Sequence, residues 1–257
     1  MSELVTFEPD GVIGTITLRR PEKFNALDIP MLNALEARLG DAEAAEGVRV
    51  VLIAGEGKGF CAGGDVEAWS AMSAADFQVQ WVRYGHRVFD RLARLRQPTI
   101  AVLSGHALGG GLELAAACDF RVAEAHIKLG FPEASLGVVP GWSGTQRAVR
   151  RFGAQAVRRM ALAGELFAAS QAHAVGVVDH VVETGRGMEK ARTMAAVIAE
   201  RGPLATEAVK LMIAVAESEE SASSVEALAS GFIALTGDLK TGVEAFRAKQ
   251  KPEFGRL

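Results

Sequence analysis

The chain is poor in the residues that make staples, metal clusters and membrane spans. It has only two cysteines, Cys61 and Cys118, far apart and set among small or apolar neighbours, which excludes a disulfide framework and suits a reducing compartment. The five histidines, His86, His106, His126, His173 and His180, show no zinc-site spacing, so no metal is expected. No stretch is long and apolar enough to span a bilayer, and MSELVTFEPD lacks the basic-then-apolar order of a targeting peptide. A cytoplasmic protein is the resulting expectation. There is no surplus of positive charge either: the formal net charge is -3, which removes nucleic acid and anionic membrane surfaces from the expected partners. GEGKGF lacks the Ser/Thr and spacing of a P-loop, and no GxGxxG opens a helix, which disfavours nucleotide hydrolysis and NAD binding. Nothing near Cys61 in sequence offers it a base, so a cysteine nucleophile is disfavoured too.

What is present is material for one main core: 49% of the 257 residues are apolar and 23% charged. LVTFEPDGVIGTITL alternates apolar and polar residues about Asp10-Gly11 and predicts a β-hairpin. Met31, Leu32, Leu35 and Leu39 fall at helical spacing within a helix expected over 27–39. VRVVLIAG then reads as a strand buried on both faces, as in a parallel sheet under helices. The same grammar returns about fifty residues on, where PTIAVLSG precedes glycines and an Ala/Leu-rich helix. Each strand leads to a glycine-rich turn, GEGKGFCAGGD and GHALGGGLEL, that lets backbone approach a ligand. Residues 69–96 predict a helical region whose first part covers the core, 119–131 short strands, a helix starts near Ser143, and 175–182 form a strand. Beyond Met188 the chain reads as helical, so the core is placed at 1–190 and a helical oligomerisation region at 191–257.

Three acidic residues invite a chemical reading. Glu113 lies in the predicted first turn of a helix, three residues after Gly110, where unpaired amides and the helix dipole favour an oxygen that gains negative charge. An acidic residue there also simply offsets the dipole. Cys61-Ala62-Gly63-Gly64-Asp65 offers a second amide, that of Gly64, with Asp65 reading as a helix cap. Glu133 precedes an unusually apolar loop, Leu136 to Gly141, against which a carboxyl would titrate high. It also suits an ordinary surface loop.

Taken in order, RPEKFNALD, GKGFCAGGD, SGHALGGGLELAAACDF, FPEASLGVVPGWSGTQR and GVEAFRAKQKPEF resemble the crotonase (enoyl-CoA hydratase/isomerase) superfamily along nearly the whole chain. The resemblance implies an α/β spiral of ββα repeats with a C-terminal helical trimerisation region, as a homotrimer or a dimer of trimers. It implies an acyl-CoA substrate, with coenzyme A as part of the thioester and no prosthetic group. By the same resemblance Gly64 and Gly110 match two oxyanion-hole amides, and Gly64 is expected to replace the common alanine without harm. Glu113 matches the group that deprotonates water, Glu133 the one that exchanges a proton with the carbon beside the carbonyl, and Gly141 an amide that holds the water. Lys23, Phe24, Ala26, Lys58, Ala62, Gly63 and Gly64 match the segments around coenzyme A, and Phe246 and Lys249 positions reaching the nucleotide held by an adjacent subunit. Two carboxylates favour hydration; isomerisation, dehydration, decarboxylation, thioester hydrolysis and silent CoA binding are the alternatives. Trp142 departs from the small residues usual beside the acyl pocket.

Overall fold

The computed structural model describes residues 3–219 and 222–254 and divides into two compact units, 1–207 and 208–257. The first unit opens with the expected hairpin, β1 (Val5–Asp10) against β2 (Ile13–Leu18), with Asp10 opposite Ile13 across a two-residue turn at Gly11 and Val12. Gly11 adopts φ +59°, the left-handed conformation that such turns demand. Helix α1 (Ile29–Ala44) starts two residues later than the spacing implied and ends five later, because Asp28 caps it by accepting from the Met31 N–H.

Two sheets carry the ββα grammar. The larger is ordered β1-β2-β3-β5-β7-β10, with β3 (Val50–Gly55), β5 (Thr99–Leu103), β7 (Phe120–Glu124) and β10 (His180–Val182) parallel. The smaller is β4-β6-β8-β9, made from β4 (Gly59–Cys61), β6 (His106–Leu108), β8 (Lys128–Gly130) and β9 (Phe167–Ala168). Successive repeats thus give one strand to each sheet, and each of the first two then enters a helix: α2 (Val66–Ser70) after β4 and, beyond α3 (Ala74–Asp76) and α4 (Tyr84–Ala93), α5 (Gly110–Ala117) after β6.

The large sheet is buried on both faces at its centre, which is why β3 and β5 read as unbroken apolar runs. Val51, Ile53, Ala101 and Leu103 face one core with Leu32, Leu35 and Phe89. Their alternate neighbours Val50, Leu52, Ile100 and Val102 face a second core closed by Ala191, Ala195 and Ala199. Those alanines belong to α9 (Gly187–Ala199), four residues apart on one stripe. The compact unit therefore runs beyond the expected boundary at 190: without α9 the second face of the sheet would be bare.

Other expectations shift for local reasons. The segment 175–182 is a strand only over His180–Val182, since Gly176 at φ +78° turns the chain first. The helix expected near Ser143 starts later, as α6 (Gln146–Phe152), because Ser143 is itself left-handed at φ +79° and cannot continue a helix. Within 69–96, Phe77–Arg83 form a π-helical turn rather than regular α-helix. Beyond α7 (Ala154–Ala161) and α8 (Ala169–Ala174), the last helices are α10 (Pro203–Ala216), α11 (Ala222–Ala234) and α12 (Gly237–Ala248). Neither α10 nor α12 contains a buried residue. Among the described residues, no helix is long and apolar enough to cross a membrane, and no cluster of His, Cys, Asp and Glu could hold a metal ion.

Candidate active site

The two glycine-rich turns meet. A Cβ built on Gly63 would lie 3.0 Å from the Gly110 nitrogen and 2.8 Å from the Leu108 oxygen, so only glycine permits the contact; Gly63 also sits at φ +95°. Gly110 is the first residue of α5, where an N–H has no carbonyl one turn back to bind. Gly64 lies beside it, held by a backbone bridge in which Leu27 N–H donates to Gly63 O and Asp65 N–H to Leu27 O.

Between these turns is a cleft of about 110 Å³ lined by Gly64, Gly110, Glu113, Glu133, Gly141 and Trp142 among others. Glu113 is buried with 2% of its surface exposed. Its Oε1 accepts from the Trp142 N–H at 2.7 Å and the Gly144 N–H at 2.6 Å. Burial raises its pKa first, and the charge of Glu133 raises it further, against the lowering by those two amides and by Arg147; the result is about 8. Glu133 stands at the start of a 3₁₀ turn (Glu133–Leu136), its Oε1 2.9 Å from where a Gly109 Cβ would be. Both its oxygens are buried with no hydrogen-bond partner among the described residues, and burial pushes its pKa up as well. Each carboxyl disfavours the charged form of the other, so the pair titrates as a unit with one proton to share. An acid and a base side by side, near two amides able to hold an oxyanion, is machinery for moving protons at a carbon next to a carbonyl.

Asp65 is the cap that its position implies, accepting from the Glu67 N–H at 3.1 Å, and its other oxygen is 2.8 Å from Arg20 Nη1. Arg20 escaped the sequence reading, as did Asn25. Arg20 also donates to Ala26 O, while the buried Asn25 receives Arg20 N–H and donates to Glu56 O and Gly59 O. Together they brace Phe24 and Asn25, both left-handed at φ +49° and +57°. The available signal was polar residues inside RPEKFNALD that no helix or strand pattern needed. The brace brings Lys23–Ala26 against the first turn, where Ala62 N–H donates to Phe24 O at 3.0 Å. Phe24 is exposed and Ala26 buried; Lys58 is exposed, and Lys23 is ion-paired with Glu67. Phe246 and Lys249 lie in the second unit, at the end of α12 and just after it, both exposed.

Cys61 is fully buried and its thiol is pushed up to about 12 by desolvation, which removes it as a nucleophile. Gly64 has a packing reason of its own. A methyl there would come 2.8 Å from Cζ2 of Trp81, so glycine is what the neighbouring indole permits.

A sequence model of the enoyl-CoA hydratase/isomerase family matches residues 8–256. The chain is 34% identical to a probable enoyl-CoA hydratase of Bacillus subtilis, with 97% of this chain and 98% of that one covered. It is 33% identical to the crotonyl-CoA hydratase of Syntrophomonas wolfei, with 98% of each covered. The crystal structure of an enoyl-CoA hydratase from Bacillus anthracis superposes with a TM-score of 0.80 at 30% identity, over 98% of both chains.

Proposed function

The chain belongs to the enoyl-CoA hydratase/isomerase family, and on that premise we propose that it adds water reversibly across the double bond of a 2-enoyl-CoA, giving a 3-hydroxyacyl-CoA. The observation that carries this reading is the pair of buried carboxyls, Glu113 and Glu133, in one cleft with the Gly64 and Gly110 amides. The thioester oxygen is received by those two N–H groups. As water adds at the far carbon of the double bond, negative charge moves onto this oxygen, where the positive end of α5 stabilises it. Glu113, its Oε1 fixed by two amides, keeps Oε2 for the attacking water and takes a proton from it; the Gly141 amide helps hold that water. In the form that reacts the pair's one proton sits on Glu133, which supplies it to the carbon next to the carbonyl while Glu113, ionised, receives the proton from water. Every step is performed by the chain's own groups and water.

For the coenzyme A portion, the reading uses the backbone of Lys23, Phe24 and Ala26 and of Ala62, Gly63 and Gly64, with Lys23 and Lys58 toward the phosphates. Lys23 must leave Glu67 to serve there. Phe246 and Lys249 are assigned to the nucleotide bound by an adjacent subunit, in a homotrimer or a dimer of trimers. Exposed apolar residues on the last helices, among them Met212, Phe232 and Ile233, support such an assembly. A reducing, cytoplasmic setting fits the two buried free cysteines.

The test is incubation with a panel of 2-enoyl-CoA thioesters, followed by absorbance of the conjugated double bond and by product mass. Loss of absorbance with the mass of one water gained is expected. Loss without mass gain, release of free coenzyme A, or loss of carbon dioxide would each replace hydration by another reaction of the same oxyanion site.

A further inference from the structure

Each amide glycine of the cleft is backed by an indole, and the two indoles touch. A Cβ on Gly64 would come 2.8 Å from Trp81 Cζ2, and one on Gly110 would come 2.6 Å from Trp142 Cζ3. Trp142 is further seated on Gly85 of α4, where a Cβ would come 2.3 Å from Nε1. Glycines on two separate helices thus make room for one ring. Nε1 of Trp142 donates to Trp81 O at 3.3 Å, which fixes the ring's orientation. The Trp81 and Trp142 centroids are 5.0 Å apart, and Phe89 closes the far side of Trp142 at 5.1 Å. Such spacings are those of packed aromatic rings with no gap for a methylene chain. Both indoles are nearly inaccessible, at 5% and 2% exposure, so they form the floor of the cleft. At the open side Val66, Leu136 and Val139 are exposed.

We propose that Trp81 and Trp142 are the specificity-determining stop of the acyl pocket and confine the protein to short acyl thioesters, about four carbons long. The inference rests on the reading above, because the carbonyl bound at Gly64 and Gly110 is what aims the acyl group at this floor. A four-carbon acyl group ends before this floor, whereas a decenoyl chain meets two rings locked by glycine contacts and a hydrogen bond. Displacing a close-packed ring is a cost that the four-carbon chain does not meet.

The experiment compares kcat/KM for 2-butenoyl- and 2-decenoyl-CoA in the wild type, Trp142→Ala and Trp81→Phe, with equilibrium binding of saturated butyryl- and decanoyl-CoA measured alongside. The wild type is expected to prefer the four-carbon substrate by at least about tenfold, and Trp142→Ala to shrink that ratio by at least about tenfold. Trp81→Phe, which keeps a ring in the core, is expected to shift the ratio the same way by less, and it carries the test should Trp142→Ala fail to fold. Equal kcat/KM for both lengths in the wild type, or a ratio unmoved in the folded variants, would overturn the stop while leaving hydration intact. If no thioester is hydrated, tighter binding of butyryl- than decanoyl-CoA, lost in the variants, upholds the stop; equal binding overturns it.

Discussion

The turns Cys61–Asp65 and Gly109–Glu113 come from equivalent places in two successive repeats, each following a short strand of the small sheet, entering a helix and carrying an acidic residue. Their carboxylates nevertheless have opposite fates. Asp65 caps α2 and pairs with Arg20 at 2.8 Å. Glu113 enters the first turn of α5, where every residue of the helix is buried, and meets amides, apolar walls and a second carboxyl. The repeat fixes where the backbone goes. Whether the acid becomes a brace or meets a second carboxyl depends on its partners: a helix amide and a guanidinium hold one in place, and burial beside Glu133 raises the pKa of the other.

Substitutions sharpen that contrast by size of effect. Glu113→Gln and Glu133→Gln are each expected to reduce turnover of an enoyl-CoA by at least about a hundredfold, whereas Asp65→Asn reduces it by less than about tenfold. Steady-state rates on one substrate decide it, and comparable losses in all three would break the distinction. Gly64→Ala is expected to reduce turnover by about tenfold, because overpacking against Trp81 shifts the amide, and Trp81→Phe should restore part of it. Failure of the double variant to recover would mean that the methyl acts elsewhere.

Asp65→Ala is expected to destabilise the protein by about 0.5–2 kcal/mol in urea unfolding, as loss of a helix cap does, with Arg20 left short of a partner. Glu113→Gln should go the other way in alkali. The folded state holds the Glu113 proton up to about pH 8, while the unfolded chain releases it near the ordinary value of 4.5. The folded state therefore binds more protons across that interval, and wild-type stability falls as pH rises through it. The variant carries no such burden, so above about pH 8 its Tm should exceed that of the wild type by at least about 2 °C, with the gap narrowing toward pH 5.

How far the sequence reveals this molecule follows from the length scale of each signal. The strands Val50–Gly55 and Thr99–Leu103 are legible because both faces are buried and every residue reports it. The hairpin is legible from alternation around a glycine. The place of α9 is not, because Ala191, Ala195 and Ala199 make a weak apolar stripe whose partner sheet face is assembled from distant segments. At the site, glycines and glutamates announce themselves by type and order. The depth of Glu113, the bare oxygens of Glu133 and the indole behind Gly64 depend on packing among residues far apart in the chain, which no local pattern records. Arg20 and Asn25 stand within a quoted motif, yet their use as a brace appears only once the left-handed pair at Phe24 and Asn25 is seen.

In the proposed mechanism the Glu113 and Glu133 pair shares one proton and spends it in adding water. Its most direct test is the pH dependence of kcat/KM for 2-butenoyl-CoA from about pH 5 to about pH 10, which reports the free enzyme's acid and base. A bell is predicted, with its alkaline limb near pH 8 where the pair loses its last proton. A profile that stays flat through pH 8 and beyond, in a protein that remains folded, would contradict it.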